Sequence, residues 1–275
     1  MATTVRKDKH KGERAPRSKR IAEIQRRGST ALYGRSGTGK TTLASTYPKP
    51  ILYLNILDNG DDSIRDVDDI DVVDIESSEE LQEQLLWLAK QANKGKLIYK
   101  TVVLDTMTQL QGIFVAELGE KKKLAKGKKA GDFGTLTKQD WGSIAGDLKA
   151  VIMDVRNLPV ESVFIAQERV FNAGDEEDDG IDALAPEVGT KLMPSVNKDL
   201  CASVSIIGNT FIRIKVHKEE VKGKTVRTVE KIFCLRLGPN EVYTTKIRKP
   251  KGVKAPDYIT DPSFRKIKKI MKGKE

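Results

Sequence analysis

Histidine and cysteine are scarce in this sequence, and their scarcity excludes several kinds of site. Only His10 and His217 are present, so we expect neither a histidine-based zinc site nor a catalytic triad that uses histidine. The two cysteines, Cys201 and Cys234, lie in apolar segments without CxxC spacing. We interpret them as reduced thiols of the core rather than as a disulfide or as metal ligands.

Long apolar runs are also missing. No segment approaches the roughly 20 apolar residues that cross a bilayer, and the polar N-terminus has no apolar signal region. The hydrophobic content of 38% is nevertheless enough to build a core. The sequence therefore predicts a soluble, cytoplasmic protein without a membrane partner.

Acidic residues are too few to balance the basic ones. The 49 lysines and arginines exceed the 39 acidic residues, which gives a net charge of +10 and an isoelectric point near 9.4. We predict a flexible basic arm over residues 1–27, a core over 28–247 and a basic tail over 248–275 with a short helix that Asp261 caps. Acidic residues concentrate between the basic ends, in residues 58–80 and in Asp175–Asp179. This excess of positive charge favours a polyanionic partner, nucleic acid above all.

Short apolar runs alternate with helical patterns through the core. "TALY", "ILYLNI", "YKTVVLD" and "ESVFIAQ" are typical of buried strands, and "DIDVVDI" has the alternation of a half-buried edge strand. Helical segments separate them, including one from Thr137 whose apolar stripe includes Trp141. After Gln167 we predict a polar loop of about 20 residues and then further strands. This order predicts an α/β fold with a mostly parallel sheet flanked by helices and with antiparallel strands on the C-terminal side.

One glycine-rich segment carries a specific chemical signal. "GRSGTGKT" satisfies GxxxxGK[ST], and it stands between a predicted strand and a predicted helix as a P-loop requires. Its backbone N–H groups would face the phosphates of ATP, Lys40 would bridge the β- and γ-phosphates, and the Thr41 hydroxyl would bind Mg²⁺. The predicted nucleotide-binding residues are Gly34, Arg35, Ser36, Gly37, Thr38, Gly39, Lys40, Thr41 and Thr42.

Two carboxylates are candidates to complete this site. Asp105 ends the strand "TVVLD", so we expect its carboxylate at the same sheet edge as the P-loop, where it would hold Mg²⁺ with Thr41. Hydrolysis also needs a group that orients water. Asp58 follows the strand "ILYLNI" and is the candidate, with Asp61 and Asp62 as nearby competitors.

The order of these parts resembles the RecA-type recombinase core. A P-loop, an acid after the second strand, the "TVVLD" strand and a strand that ends at Gln167 occur in that order. The segment "LYGRSGTGKTTLASTYPKPILYLNILDNG" is similar to phage-encoded nucleotide-binding proteins, including the ATP-dependent single-strand annealing proteins of the Sak group. The resemblance covers about residues 28 to 250. It implies a RecA-like P-loop NTPase and, if a phage encodes the protein, a place in the host cytoplasm.

The resemblance also implies roles for two loops. The first is the lysine-rich stretch Gly119 to Gly134, where Lys121, Lys122, Lys123, Lys126, Lys128 and Lys129 would bind DNA. The second follows Gln167, which would sense the γ-phosphate. This second loop carries the acidic residues Asp175–Asp179, which either stay away from DNA or gate the basic loop. Across a subunit interface, Lys246 and Arg248 are candidates to contact the phosphates of a neighbour, although a basic surface that binds DNA explains them equally well.

Three functions are consistent with these features. The first is a DNA-dependent ATPase that binds single-stranded DNA, assembles into a ring or filament, and promotes annealing or recombination. A single-strand DNA-binding protein is a further candidate partner for this function. The second is a P-loop ATPase that acts on a protein partner in replication or packaging. The third is a switch that binds ATP and DNA without hydrolysis.

Overall fold

A ten-stranded sheet organises the part of the chain that the structure describes. The structure is a computed structural model that describes residues 27–57, 60–125, 136–171, 187–221 and 224–273. The strands are β1 (Ser29–Gly34), β2 (Ile51–Ile56), β3 (Ile70–Ile75), β4 (Thr101–Asp105), β5 (Glu161–Phe171), β6 (Glu187–Thr190), β7 (Ile206–Val221), β8 (Lys224–Arg236), β9 (Lys246–Ile247) and β10 (Tyr258–Thr260).

The strand order is β10-β8-β7-β1-β5-β4-β2-β3, with β6 paired to β5 and β9 paired to β7. The pairs from β7 to β3 along this order are all parallel. The β7–β8, β8–β10, β5–β6 and β7–β9 pairs are antiparallel. This topology confirms the predicted α/β fold with a mostly parallel sheet and antiparallel C-terminal strands.

Helices cover both faces of the sheet. They are α1 (Lys40–Ala44), α2 (Ser78–Asn93), α3 (Met107–Ala125), α4 (Lys138–Asn157), α5 (Pro194–Ser203) and α6 (Phe264–Met271). Apolar residues of α2, α3, α4 and α5 form one core cluster with the face of β1 that carries Tyr33. Residues of α1 and α6 form a second cluster with the opposite face, which carries Leu32. None of the helices in the described ranges is long and apolar enough to cross a membrane.

Local capping explains where two of the helices begin. Ser77 precedes α2 and its hydroxyl accepts a hydrogen bond from the Glu80 N–H at 3.2 Å. Thr137 precedes α4 and forms a capping box with Asp140, in which each side chain binds the other residue's backbone N–H. These bonds satisfy N–H groups that the first helical turn leaves without partners.

Two helix predictions were wrong. Helix α3 continues through Ala125, so Lys121, Lys122 and Lys123 lie on a helix and not in a loop. Helix α5 lies in a region for which we predicted a loop and strands. It begins with a proline at its first position and buries Val196 and Leu200, which are four residues apart on one face. That pattern is too short to give a clear helical period.

The predicted burial of Trp141 was also wrong, because 41% of the residue is exposed. The apolar stripe of α4 begins one turn later, at Ile144. The buried position in the first turn belongs to Asp140, which caps the helix.

The C-terminal segment belongs to the same sheet rather than to a separate tail. Strand β10 pairs with β8, and Ile267 of α6 is fully buried in the second core cluster. The ring of Phe264 lies 4.5 Å from that of Tyr47, centroid to centroid. The cap of α6 is Ser263 and not Asp261, whose N–H instead donates to the Phe233 carbonyl at 2.8 Å.

Candidate nucleotide-binding site

The predicted P-loop joins the end of β1 to the start of α1. Gly37 and Gly39 have φ angles of 74° and 85°, in the left-handed region that glycine adopts without strain. Helix α1 begins at Lys40, immediately after Gly39. The loop therefore turns back on itself at the carboxyl edge of the sheet, where parallel α/β proteins bind ligands.

Lys40 is the buried cation of this loop. Only 9% of the residue is exposed, and its ammonium group donates to the carbonyls of Gly34 at 3.1 Å and Arg35 at 2.8 Å. These bonds hold the charge across the loop. A buried ammonium group in a glycine-rich loop is suited to bind phosphate oxygens.

Strand β7 supports the loop from below. The hydroxyls of Thr38 and Thr210 are 2.7 Å apart, and Thr38 also donates to the Arg35 carbonyl at 2.8 Å. A Cβ atom on Gly34 would overlap the carbonyl and hydroxyl oxygens of Thr210. The loop conformation thus depends on a strand that is 172 residues away in the sequence.

The structure brings Thr41 and Asp105 together as predicted. The Thr41 hydroxyl donates to Asp105 Oδ2 at 2.8 Å, and only 2% of Asp105 is exposed. The Tyr53 hydroxyl donates to the same oxygen. A Cβ atom on Gly60 would lie 3.3 Å from the Thr41 hydroxyl and 3.4 Å from Asp105 Oδ2, so the chain passes close to this cluster.

These oxygen atoms fit a Mg²⁺ ion, which prefers hard oxygen ligands. Because Thr41 gives its proton to Asp105, the lone pairs of its hydroxyl stay available for a cation. Asn55 adds a second observation. Its register position is opposite Asp105, and its Oδ1 atom is buried without a hydrogen-bond partner in the described part of the chain.

Sequence reasoning missed Tyr53. A tyrosine in a buried strand is typical of a core residue, and Tyr53 is indeed buried. Its hydroxyl nevertheless finds Asp105, because β2 and β4 are neighbours and position both side chains on the face that carries α1. The one indication in the sequence was that Tyr53 and Asn55 are two positions apart in β2, which places both on the same face of the strand.

Replacing Tyr53 with Phe is expected to raise the Mg²⁺ concentration that half-activates ATP hydrolysis by about threefold to tenfold, since one hydrogen bond to a charged group contributes about 1 kcal/mol or more. Titrating the ATPase rate with Mg²⁺ measures this change. Tyr47→Phe is the matched control, because the buried Tyr47 hydroxyl donates to Thr30 instead. Equal Mg²⁺ curves for the two variants would contradict a role of Tyr53 at the cation site.

Asp58, the candidate for orienting water, lies outside the described residues. The nearest described residues on either side of Asp58 are Leu57, which follows β2, and Gly60, which lies against Thr41 and Asp105. The role of Asp58 stays a prediction.

Gln167 lies at the same sheet edge, opposite Gly34 in the β1–β5 register. Its backbone N–H donates to the Thr108 hydroxyl at 3.1 Å, and its carbonyl accepts from the Lys191 N–H at 2.7 Å. Strand β5 continues past Gln167 to Phe171 and pairs with β6. The residues at both ends of the predicted second loop therefore lie in strands. A γ-phosphate sensor at Gln167 stays a prediction, and Asp175–Asp179 lie outside the described residues.

Glu168 is a second residue that sequence reasoning missed. Its carboxylate pairs with the Arg35 guanidinium at 2.9 Å and accepts from the Asn209 amide at 3.5 Å. Arg236 in turn donates to the Asn209 oxygen at 2.8 Å. Glu168 therefore connects the P-loop to the base of the β5–β6 pair and to β7.

The lysine-rich stretch is divided between helix α3 and residues outside the described ranges. Lys122 pairs with the buried Asp140, and Lys123 pairs with Glu120 at 2.6 Å. Hydrogen bonds from Lys122, and to a smaller extent from Thr137, lower the pKa of Asp140 to about 2. Lys121 is exposed on the last turns of α3, while Lys126, Lys128 and Lys129 lie outside the described residues.

Lys246 and Arg248 lie at the opposite edge of the sheet from the P-loop. Strand β9 pairs with β7 at Ile206, whose partner in β1 is Thr30 near the start of that strand. Lys246 donates to the Cys201 carbonyl at 2.6 Å, and Arg248 donates to the Ala202 carbonyl at 3.3 Å. Both cations therefore bind the end of α5, and a contact with a neighbouring subunit stays a prediction.

Comparison with known proteins gives a family match over most of the chain. The profile of a family described as an AAA domain matches residues 26–248. Among solved structures, a KaiC-like protein from the hyperthermophilic archaeon Pyrococcus horikoshii OT3 shares 12% identity at a TM-score of 0.41, over 86% of this chain and 90% of that chain. Comparison with curated proteins gives no match.

Proposed function

Since the chain belongs to the AAA-domain family and is a P-loop ATPase domain, we propose that it binds single-stranded DNA and uses ATP to promote annealing or recombination of DNA strands. The observation that carries the nucleotide part is the cluster of Lys40, Thr41 and Asp105 at one sheet edge. The DNA part depends on the lysine-rich stretch Gly119 to Gly134, which begins on α3.

The phosphates of ATP would lie in the P-loop with Mg²⁺ beside them. Lys40 would exchange its two carbonyl partners for phosphate oxygens, and Thr41 and Asp105 would hold the cation. Mg²⁺, when bound, neutralises negative charge on the phosphate oxygens during transfer. Asp58 would orient the attacking water, and Gln167 would contact the γ-phosphate.

Chain connectivity supports a link between the nucleotide and DNA. Asp105 ends β4, and helix α3 begins only two residues later. The same helix ends at Ala125, within the lysine-rich stretch. A shift at Asp105 would therefore reach the lysines through one rigid element. A homo-oligomeric ring or filament and a single-strand DNA-binding protein complete the proposed partners.

One observation favours the alternative, an ATPase that acts on a protein partner in replication or packaging. Lys122 and Lys123 already pair with acids of the same chain, which leaves less positive charge for DNA phosphates. A switch that binds ATP and DNA without hydrolysis is the third candidate. The measured ATPase rate with and without single-stranded DNA distinguishes all three.

Replacing Lys121, Lys126, Lys128 and Lys129 with Gln is expected to flatten the salt dependence of DNA binding. Each lost contact with a single-strand phosphate removes about 0.7 from the slope of log K against log salt, so the slope should fall in magnitude by about 2 to 3. Fluorescence anisotropy with a labelled oligonucleotide, at several salt concentrations, measures it. The DNA stimulation of the ATPase should fall in parallel.

Four other exposed lysines provide a control with the same change of charge. Lys90, Lys94, Lys96 and Lys100 lie on α2 or between α2 and the start of β4, at the sheet edge opposite the P-loop. Replacing them with Gln should leave the slope within about 1 of the wild-type value. If both sets of variants give the wild-type slope, DNA binds elsewhere, with the basic arm as the next candidate. ATP hydrolysis without any DNA binding would favour the protein-partner alternative.

A further inference from the structure

We infer that Phe233 of β8 is the stacking platform for the base of the bound nucleotide, and that the site prefers purines without distinguishing adenine from guanine. This inference rests on the proposed function as far as nucleotide binding is concerned. No feature of the P-loop sequence itself points to Phe233, which lies far from it in the chain.

The ring of Phe233 lies directly against the P-loop. A Cβ atom built on Gly39 would be 3.2 Å from Phe233 Cδ1 and 3.7 Å from Cε1. Gly39 immediately precedes Lys40, whose ammonium group crosses the loop. A nucleoside attached to phosphates in this loop would therefore have the ring within its reach.

The position of the ring relative to the loop is fixed by the sheet. Phe233 is opposite Ile212 in the β7–β8 ladder, and its carbonyl accepts a hydrogen bond from Asp261 at 2.8 Å. On β7, Thr210 lies two residues before Ile212 and its hydroxyl is 2.7 Å from that of Thr38 in the loop. The strand that supports the loop and the strand that carries the ring are therefore direct neighbours.

Phe233 is also open to a ligand, since 39% of it is exposed. By contrast, the nearby rings of Tyr33, Tyr47 and Tyr53 are each no more than 2% exposed and cannot stack on a base. Ile214 and Val229 extend the exposed apolar surface along the same face of the hairpin. Exposed apolar surface beside a polar loop is typical of a ligand site, and a base bound through phosphates would cover the ring.

The chemistry of the platform sets its specificity. A phenyl ring offers a face for stacking and no hydrogen-bond donor or acceptor. Stacking is tolerant of sequence because every base has a π-face, and the larger purines cover more of the ring than pyrimidines. ATP and GTP should therefore depend on Phe233 alike, and CTP and UTP should depend on it less.

Replacing Phe233 with Leu is expected to raise the Kd for Mg·ATP about tenfold, which corresponds to about 1.4 kcal/mol. Isothermal titration calorimetry measures the change. The Kd for Mg·tripolyphosphate, which has phosphates but no base, should stay within about twofold of the wild-type value, well below the tenfold that one lost stacking contact costs. Ile98→Ala, an exposed apolar residue between α2 and β4, is the control and should bind both ligands as the wild type does.

A second variant gives a direct signal from the platform. In Phe233→Trp, the added indole fluorescence should be quenched by ATP or GTP but not by tripolyphosphate, after subtraction of the signal from Trp87 and Trp141 in the wild type. Unchanged ATP affinity in Phe233→Leu would overturn the inference. So would an equal loss of ATP and tripolyphosphate affinity, which would mean that the ring only supports the loop. If the wild type binds neither ligand, the proposed function itself fails.

Discussion

Replacing Lys40 with Ala is expected to raise the Kd for Mg·ATP at least about a hundredfold, the size of effect found when a buried donor to a developing or full negative charge is removed. Lys40 is the lysine of the P-loop. Its ammonium group is buried and donates hydrogen bonds to the carbonyls of Gly34 and Arg35. Its removal leaves the phosphates to the backbone N–H groups of the loop and to Mg²⁺. Calorimetry with Mg·ATP measures the loss directly.

Lys49→Ala is the matched control for this experiment. Lys49 follows α1, and its ammonium group donates to the Asp68 carbonyl at 2.5 Å rather than to the loop. This variant removes the same charge from the protein and should bind ATP within about twofold of the wild type, because the contribution of distant exposed charges is screened by salt. A Lys40→Ala variant that binds ATP as tightly as Lys49→Ala would show that the loop does not hold phosphates.

Replacing Gly34 with Ala is expected to lower the free energy of unfolding by about 3 kcal/mol, at the upper end of the usual cost of an added methyl group in a packed site. The new Cβ atom would overlap the Thr210 carbonyl, and a backbone oxygen cannot rotate away. Strand β7 must shift or the loop must open. ATP affinity should fall with stability, because the Thr38–Thr210 contact supports the same loop. Urea denaturation and ATP titration measure the two effects.

Gly37→Ala separates steric overlap from backbone strain. Gly37 has a φ angle of 74°, but no atom lies within 4 Å of a Cβ atom built on it. This variant should lose only about 1 kcal/mol, the cost of the left-handed conformation for alanine. If Gly34→Ala and Gly37→Ala were equally stable, strand β7 would not be a support of the P-loop.

The P-loop of this chain depends on contacts from outside its glycine-rich motif. The loop lies between a parallel strand pair and a long antiparallel hairpin, and each neighbour contributes a specific contact. Thr210 of β7 fixes the loop from below, Phe233 of β8 covers Gly39, and Glu168 of β5 holds Arg35. These three contacts join the P-loop to strands β5, β7 and β8.

Several features could be predicted because short-range patterns determine them. The glycine spacing and the following Lys40 and Thr41 predict the phosphate loop, since few other backbones need glycine at those positions. The apolar run before Asp105 predicts a buried strand, and parallel strands bring their carboxyl ends to one edge. The contact of Thr41 with Asp105 follows from these two rules and is present.

Predictions that depended on short or mixed patterns were less successful. Helix α3 extends into the lysines because charged residues form helices well when nothing ends the helix, and composition alone suggested a loop. Helix α5 buries only two residues, so its period is too brief to recognise. In the first turn of α4 the buried position is taken by Asp140, which caps the helix, and Trp141 is exposed. The hydrogen bonds of the cap, and not hydrophobicity, determine which residue is buried there.

The sequence by itself determined the glycine-rich loop, the contact of Thr41 with Asp105 and the alternation that builds a mostly parallel sheet. The tertiary structure alone decided which strands are neighbours, and with them the contacts of Tyr53, Glu168, Thr210 and Phe233 around the loop. The physical reason is that the spacing of apolar residues along a segment indicates which side chains are buried. Which residues a buried side chain contacts depends instead on strand order and register. Those are fixed by the packing of the whole sheet.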